Sequence, residues 1–273
     1  MNAMSELSRV YNPEGSALRR DQKELVRMLK VVAEICKENN LQWWLSSGTL
    51  LGAARHKGFI PWDDDVDIVM MREDYLKLEK ILCNMQSDEF VYHCMRTDVD
   101  YVKFFGKFRK KEGEIKVPQR RYAFYKWKGI GLDIFAIEKT SYLSARLSKL
   151  LYVPFIGRTA YIKAGWIRKP LIRLIQAVNV VIWHPLLRLI GLINPKGKYH
   201  YALGQGWPRH YFYEKEIFPL TTTEFEGEQF PVPHNMDAYL RNVYGDWTKI
   251  PSEEQIRSAV HCPEYIEEIF GKE

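Results

Sequence analysis

The chain has 273 residues, enough for one large domain or a domain with a sizeable insertion, and its 46% hydrophobic and 14% aromatic content excludes a disordered chain. Net charge is +6, yet twelve Lys and Arg residues lie between Lys139 and Arg209 and no Asp or Glu falls between Lys139 and Tyr213, so the remainder is net acidic. An acidic body carrying one basic, apolar block excludes a uniformly basic nucleic-acid binder.

The opening MNAMSELSRV has no apolar stretch of the kind a secretory leader needs. Residues 16–40 have a helical pattern, with Leu18, Leu25, Met28, Leu29, Val32, Ile35 and Cys36 recurring on one side and Asn39-Asn40 ending it. Residues 41–46 form a short strand. Gly48-Thr49 then turns the chain into a short helix from Leu50 to His56. Asp65 to Met70 is a second strand and Glu73 to Met85 another helix. Residues 89–95, 101–109 and 131–137 are further strands. This order of elements gives an α+β (mixed α/β) fold, a mixed sheet flanked by helices. Cys36, Cys83, Cys94 and Cys262 form no CxxC pair, which points to a reducing cytoplasm. The spacing of Cys83, His93 and Cys94 fits no common zinc finger.

The stretch from about 140 to 200 is apolar and basic throughout. Its longest charge-free run, Leu174 to Leu187, has fourteen residues including Gln, Asn and His. A spanning helix needs roughly 18–20 apolar residues, so a membrane span is not expected. Two readings stand: an interfacial amphipathic helix pair, or a helical subdomain packed on the core. Beyond it, NMDAYLRNVYGDW predicts a short helix from Met236 stopped by Gly245.

The chemistry concentrates in GTLLGAARHKGFIPWDDDVDIVM. Alternate residues of a strand share a face, so Asp63, Asp65 and Asp67 point one way while Val66 and Ile68 point to the core. Carboxylates about 7 Å apart on one face repel, and a divalent cation between them removes the repulsion. Oxygen donors select Mg²⁺, Mn²⁺ or Ca²⁺. Asp133, the one acid in the apolar GIGLDIFAI, is the candidate third carboxylate, because a bare charge there needs a partner. Gly48-Thr49 opens a helix whose free N–H groups suit phosphate, with Arg55, His56 and Lys57 following. Lys107 and Arg109 are further phosphate or nucleotide candidates. Each feature alone is more often a solvated loop, a common turn or a paired core Asp. Their combination in this order suggests phosphoryl transfer on metals.

At this point WLSSGTLLGAARHKGFIPWDDDVDIVMMREDYLKL resembles the signature of the LicD family, bacterial phosphocholine transferases related to fukutin-type proteins. GIGLDIFAIE resembles that family's second acidic strand, and FPVPHNMDAYLRNVYGDWTKIP its C-terminal motif. Position 47 is Ser where many relatives have Gly. The resemblance implies a nucleotidyltransferase-like core at 1–139, a basic helical insertion at 140–210 for acceptor or membrane contact, and a segment at 211–273 packing back on the core. It implies metal ligands at Asp65, Asp67 and Asp133, with Asp63 a further candidate, for two Mg or Mn ions. The same three aspartates are the expected catalytic residues, and Asp133 or Asp67 the base. It implies phosphate binding at Gly48 and Thr49.

The implied reaction moves phosphocholine, or a similar phospho-alcohol, from a CDP-alcohol to a sugar hydroxyl of a surface glycopolymer or its lipid-linked precursor, releasing CMP. Tyr125 and Trp127 are candidate choline-binding aromatics. The implied location is cytoplasmic, peripheral to the inner face of the membrane. The competing expectations are a nucleotidyltransferase that uses an NTP and releases pyrophosphate, and an inactive membrane-docking scaffold. Nucleic acid is not an expected partner.

Overall fold

The computed structural model describes Leu7 and residues 9–193, 196–205 and 207–271. Most of the N-terminal stretch read above for a leader lies outside the described residues.

Helix α1 (Ala17–Glu38) starts where the Ser16 hydroxyl accepts from the Arg19 amide, and it buries Leu18, Leu25, Met28, Leu29, Val32 and Cys36 along one stripe. Strand β1 (Trp43–Leu45), helix α2 (Ser47–His56), strand β2 (Asp67–Met71), helix α3 (Arg72–Asn84), and strands β3 (Phe90–His93), β4 (Gly106–Lys110) and β5 (Gly131–Lys139) complete the first half. Among the described residues the main sheet runs β1-β2-β5-β4-β3. The β2–β5 pair is parallel, and β1–β2, β4–β5 and β3–β4 are antiparallel. The α+β expectation is met. β5 is central and buried from Leu132 to Ile137, so Asp133 enters an apolar strand, as its sequence suggests.

Three boundaries differ from the sequence reading. β2 begins at Asp67, and Asp63 to Val66 arrive as irregular chain. Adjacent carboxylates repel too strongly to lie together in a paired strand, and Asp64 turns away to another partner described below. Tyr101 to Phe105 is a loop; the Tyr101 amide donates to the Asp98 carbonyl and β4 starts only at Gly106. Both Trp43 and Trp44 are buried, because β1 packs between the body of the sheet and the later hairpin.

The basic block folds as helix α4 (Tyr142–Arg158), a 3-10 turn, helix α5 (Gly165–Val178), a π turn (Asn179–Trp183) and helix α6 (His184–Gly191). The stretch Gly165–Gly191 is one continuous helix of 27 residues, about 40 Å long. By length and composition alone it is long and apolar enough to cross a membrane, which the charge-free run in the sequence is not, and only 22% of its apolar window is buried. Arg168 at one end binds Asp100, and Arg188 near the other binds Glu138. Strand β6 (Tyr199–Tyr201) then returns to pair with Ile137–Lys139 of β5. Helix α7 (Glu214–Ile217), the hairpin β7 (Thr221–Phe225) and β8 (Glu228–Val232), and helices α8 (Met236–Tyr244), α9 (Glu253–Ala259) and α10 (Pro263–Phe270) follow. Gly245 ends α8 at φ +70°, as its sequence requires.

Candidate active site

The strand register lines up four residues across the sheet. Asp67 on β2 sits beside Asp133 on β5, Asp133 beside Lys107 on β4, and Lys107 beside His93 on β3. Directly paired residues share a face, so these four side chains form one row at about 4.8 Å spacing. Asp65 reaches the row from the chain just before β2. Carboxylate oxygens of Asp65, Asp67 and Asp133 lie within 4.8 Å of one another. Lys107 Nζ is 2.6 Å from Asp133 Oδ1.

Helix α2 fixes the start of this row. The Asp67 amide donates to Thr49 Oγ1 at 2.9 Å, and the Ser46 amide donates to the Asp67 carbonyl at 3.0 Å. Ser47 has φ +48°, an unfavourable backbone for a residue with a side chain, costing about 1–2 kcal/mol. That backbone is natural for Gly. The Ser47 hydroxyl lies near the Asp67 carboxylate and favours its charged form. Gly48 is needed for a close approach: a Cβ there would sit 2.6 Å from Asp63 Oδ2.

Electrostatics are dominated by crowded acids. Burial first, and then the Asp64 charge, push the Asp65 carboxyl up to about 6. Burial and Asp65 raise Asp67 and Asp63 well above the usual carboxylate range. A cation among these oxygens would reverse that penalty, and an all-oxygen set fits a hard divalent ion. A second group, Asp64, Asp65 and His261, is equally close. Its Asp64 oxygens are already engaged, accepting from the His261 and Cys262 amides and meeting His261 Nδ1 at 2.9 Å. The hydrogen bond to Asp64 raises His261 to about 9, so that group carries its own cation. The oxygen triad of Asp65, Asp67 and Asp133 is therefore the better metal candidate.

Several expected site residues lie elsewhere. Asp63 belongs to neither close group and rests against Gly48, with Oδ2 buried and unpartnered. Thr49 is buried, and its hydroxyl holds the Asp67 amide, which makes it a positioning residue. Arg55 and Lys57 sit at the C-terminal end of α2, about 10–14 Å along the axis from Gly48. Arg55 Nη1 donates to the carbonyls of Trp247 and Lys249 and so fastens the C-terminal segment. Lys57 caps the helix in a left-handed conformation and is exposed. Arg109 is buried and its guanidinium is taken by the Gly129 carbonyl. Arg55 and Lys57 are near Gly48 in sequence but not in space, because the helix carries its basic end away from Gly48.

The aromatics are also distributed differently. Tyr125 is buried in a cluster with Tyr101, Tyr122 and His93, so it is a core ring. Trp127 is half-buried, 5.4 Å from His93, with Lys126 Nζ 4.3 Å above its ring.

Four residues near the acids escaped sequence reasoning. Lys103, over the Phe105 ring, is pushed down to about 8 by burial and by Lys107. Tyr244 on α8 feels the charges of Asp67 and Asp63, and Tyr201 on β6 lies beside Ser47. His261 joins from the C-terminal segment. Only Tyr244, inside the C-terminal motif, carried any signal; the others arrive through long-range folding.

Comparisons with known proteins agree with this geometry. Residues 40–161 match the model of the LicD/FKTN/FKRP nucleotidyltransferase domain, which spans α2, β2, Lys107 and Asp133. The chain is similar to the lipopolysaccharide cholinephosphotransferase LicD of Haemophilus influenzae (strain ATCC 51907 / DSM 11121 / KW20 / Rd), 25% identical over 276 aligned positions, covering 93% of this chain and 97% of that protein. It is similar to an uncharacterized protein of Rickettsia prowazekii (strain Madrid E), 25% identical over 82% of this chain and 55% of that protein. It is also 40% identical to the ribitol 5-phosphate transferase FKRP of Homo sapiens over 52 residues, 19% of this chain and 10% of that protein. The acidic triad, its Lys107 partner and the α2 turn all lie inside the matched segment, so residues 40–161 are a LicD-type nucleotidyltransferase domain and the chain is a LicD-type phosphotransferase.

Proposed function

We propose that this enzyme transfers phosphocholine from CDP-choline to a sugar hydroxyl of a cell-surface glycan or its lipid-linked precursor, releasing CMP. The observation that carries this is the oxygen triad of Asp65, Asp67 and Asp133 with Lys107 against it, inside the family-matched segment. The similarity to LicD over nearly the whole of both chains favours choline over ribitol, whose transferases match only the motif segment.

Asp65, Asp67 and Asp133 would hold Mg or Mn, two ions by family resemblance, which when bound neutralise charge on the diphosphate and the departing CMP. The helix turn at Gly48 and the ammonium groups of Lys107 and Lys103 face the same acidic cluster and steer the donor phosphates. The acceptor oxygen attacks the phosphorus bearing choline, the bond from that phosphorus to the CMP oxygen breaks, and the hydroxyl proton passes to a carboxylate. Asp133 Oδ1 already shares the Lys107 ammonium, so Asp67 takes the proton. Choline stacks on Trp127, whose face already accepts a cation, with Lys126 swinging aside.

In this reading residues 1–139 are the catalytic core, 140–210 an insertion whose helical part is α4 to α6, and 211–273 the segment that returns to the core. Contacts of Asp64 with His261 and of Glu268 with the Ala17 amide support that return. The insertion holds the enzyme peripherally on the inner face of the cytoplasmic membrane. A spanning helix would have its ends on opposite sides of the bilayer, whereas both Arg168 and Arg188 are tied to carboxylates of one body. Exposed Leu174, Val181, Leu186 and Leu189 form the apolar side.

The test is purified protein with CDP-choline, CDP-ethanolamine, CDP-ribitol or CTP, plus Mg²⁺ or Mn²⁺ and a glycan acceptor, followed by phosphorus NMR. CMP from CDP-choline is expected. Pyrophosphate from CTP would establish the nucleotidyltransferase reading instead, and no turnover of any donor would leave the scaffold reading.

A further inference from the structure

A cavity of about 410 Å³ lies at the far end of β5 from the acids, lined by Lys196, Lys198, Arg209, Tyr142, Tyr211 and Ile193, among others. Lys139, where β5 pairs with β6, is six residues from Asp133, so the cavity is about 20 Å from the triad. Three lining residues are cations and none is acidic. The nearby Glu138 offers no counter-charge, because its carboxylate takes Arg188, Arg72 and the Leu203 amide. Lys198 is held with Nζ 3.5 Å over the Tyr211 ring. Such a wall is built for an anion carrying more than one charge-bearing oxygen.

What adjoins the cavity identifies the anion's carrier. Ile193 forms part of its wall and, with Leu192, ends the long helix almost bare to solvent, at 78% and 79% exposure. Leu189 and Ile190 extend that apolar ridge one turn further back. A free anion has no use for an exposed apolar ridge at its doorway; a phosphate esterified to acyl chains does. We infer that this cavity binds the phosphate headgroup of an anionic membrane lipid while the Leu189–Ile193 ridge enters the acyl boundary. The inference rests on the peripheral-membrane reading above and adds a defined headgroup site to it. The lipid site then lies at one end of β5 and the acidic triad at the other, so the acceptor hydroxyl reacts about 20 Å from the bound headgroup.

The experiment is co-sedimentation of the full chain with vesicles of phosphatidylcholine alone and of phosphatidylcholine mixed with phosphatidylglycerol. The wild type is expected to prefer the anionic vesicles. Lys196→Ser with Arg209→Ser should cost roughly tenfold or more in binding to them and abolish the preference. Arg146→Ser with Lys149→Ser, the same charge loss on exposed positions of α4, should cost far less. Leu189→Ser with Leu192→Ser should weaken binding to both vesicle types.

Equal losses from the two charge-removing pairs would mean a diffuse basic surface and overturn the site while leaving membrane association intact. No binding of the wild type to either vesicle would overturn the membrane reading itself. Titration with inorganic phosphate separates the sources: binding as tight as to the vesicles, lost in the Lys196/Arg209 variant, would make the ligand a free anion and overturn the lipid.

Discussion

The contact between Arg168 and Asp100 decides how the basic block is seated, and breaking it is a strong test. Arg168 Nε and Nη2 donate to Asp100 Oδ1 and Oδ2 at 2.7 and 3.2 Å, with the two side chains only 6% and 3% exposed. Arg168 Nη1 also donates to the carbonyls of Ile162 and Lys163, and its guanidinium lies 3.7 Å from the Phe124 ring centroid. At an effective dielectric of about 20 the gross attraction at this distance is roughly 6 kcal/mol. Most of it offsets desolvation, but removing one partner strands the other charge, which costs about 3–5 kcal/mol. Arg168→Leu is therefore expected to lower the melting temperature by roughly 5–10 °C for a chain of this size. Removing both charges, Arg168→Leu with Asp100→Asn, should recover more than half of that loss. Thermal and urea unfolding of the two single variants and the double variant read the cycle directly. An Arg168→Leu protein as stable as the wild type, impaired only in vesicle binding, would show Arg168 to be a surface charge and refute the seating argued here.

Asp65→Asn, Asp67→Asn and Asp133→Asn should each lower metal-dependent turnover by at least 100-fold, roughly what loss of a principal charge-stabilising group costs, with no fall in melting temperature for the first two, because repulsion is relieved; near wild-type turnover in any of them would remove that residue from the triad. Gly52→Ala should destabilise by about 1–3 kcal/mol, since its Cβ would meet the Gly58 carbonyl at 2.4 Å, where backbone cannot yield cheaply, and urea unfolding at unchanged m-value checks this. His184 is 5% exposed, and burial followed by Arg188 lowers it to about 4. Between pH 6.5 and 4 the unfolded chain binds more protons at this position, so stability is full above 6.5 and falls toward 4, by up to about 3 kcal/mol; His184→Leu should flatten that slope in acid titration of the melting temperature.

The local elements were legible in the sequence because each is set by short-range periodicity. The α1 stripe, the α8 helix with its Gly245 stop and the apolar β5 interrupted by Asp133 are all local patterns. Strand alternation set Ile68 on the core side opposite Asp67, and Ile68 is buried while Asp67 is not; charge alone demanded that Asp133 have a partner. Where alternation was extended too far, as in starting β2 at Asp65 or making a strand of Tyr101–Phe105, side-chain hydrogen bonds and turns won over propensity.

What only the tertiary structure decided was register and direction. The pairing of Asp67 with Asp133, and of Asp133 with Lys107, depends on how strands far apart in sequence slide past one another, and no local pattern encodes that. The placement of His261 beside Asp64 and of Tyr201 beside Ser47 depends on the return of late segments. For Arg55, Lys57, Arg109 and Arg168 the sequence supplied a positive charge but not its destination. Three of those four charges went to backbone carbonyls or a buried aspartate, because a long cationic side chain is captured by whichever acceptor packing brings within about 3 Å, and packing is a property of the whole chain.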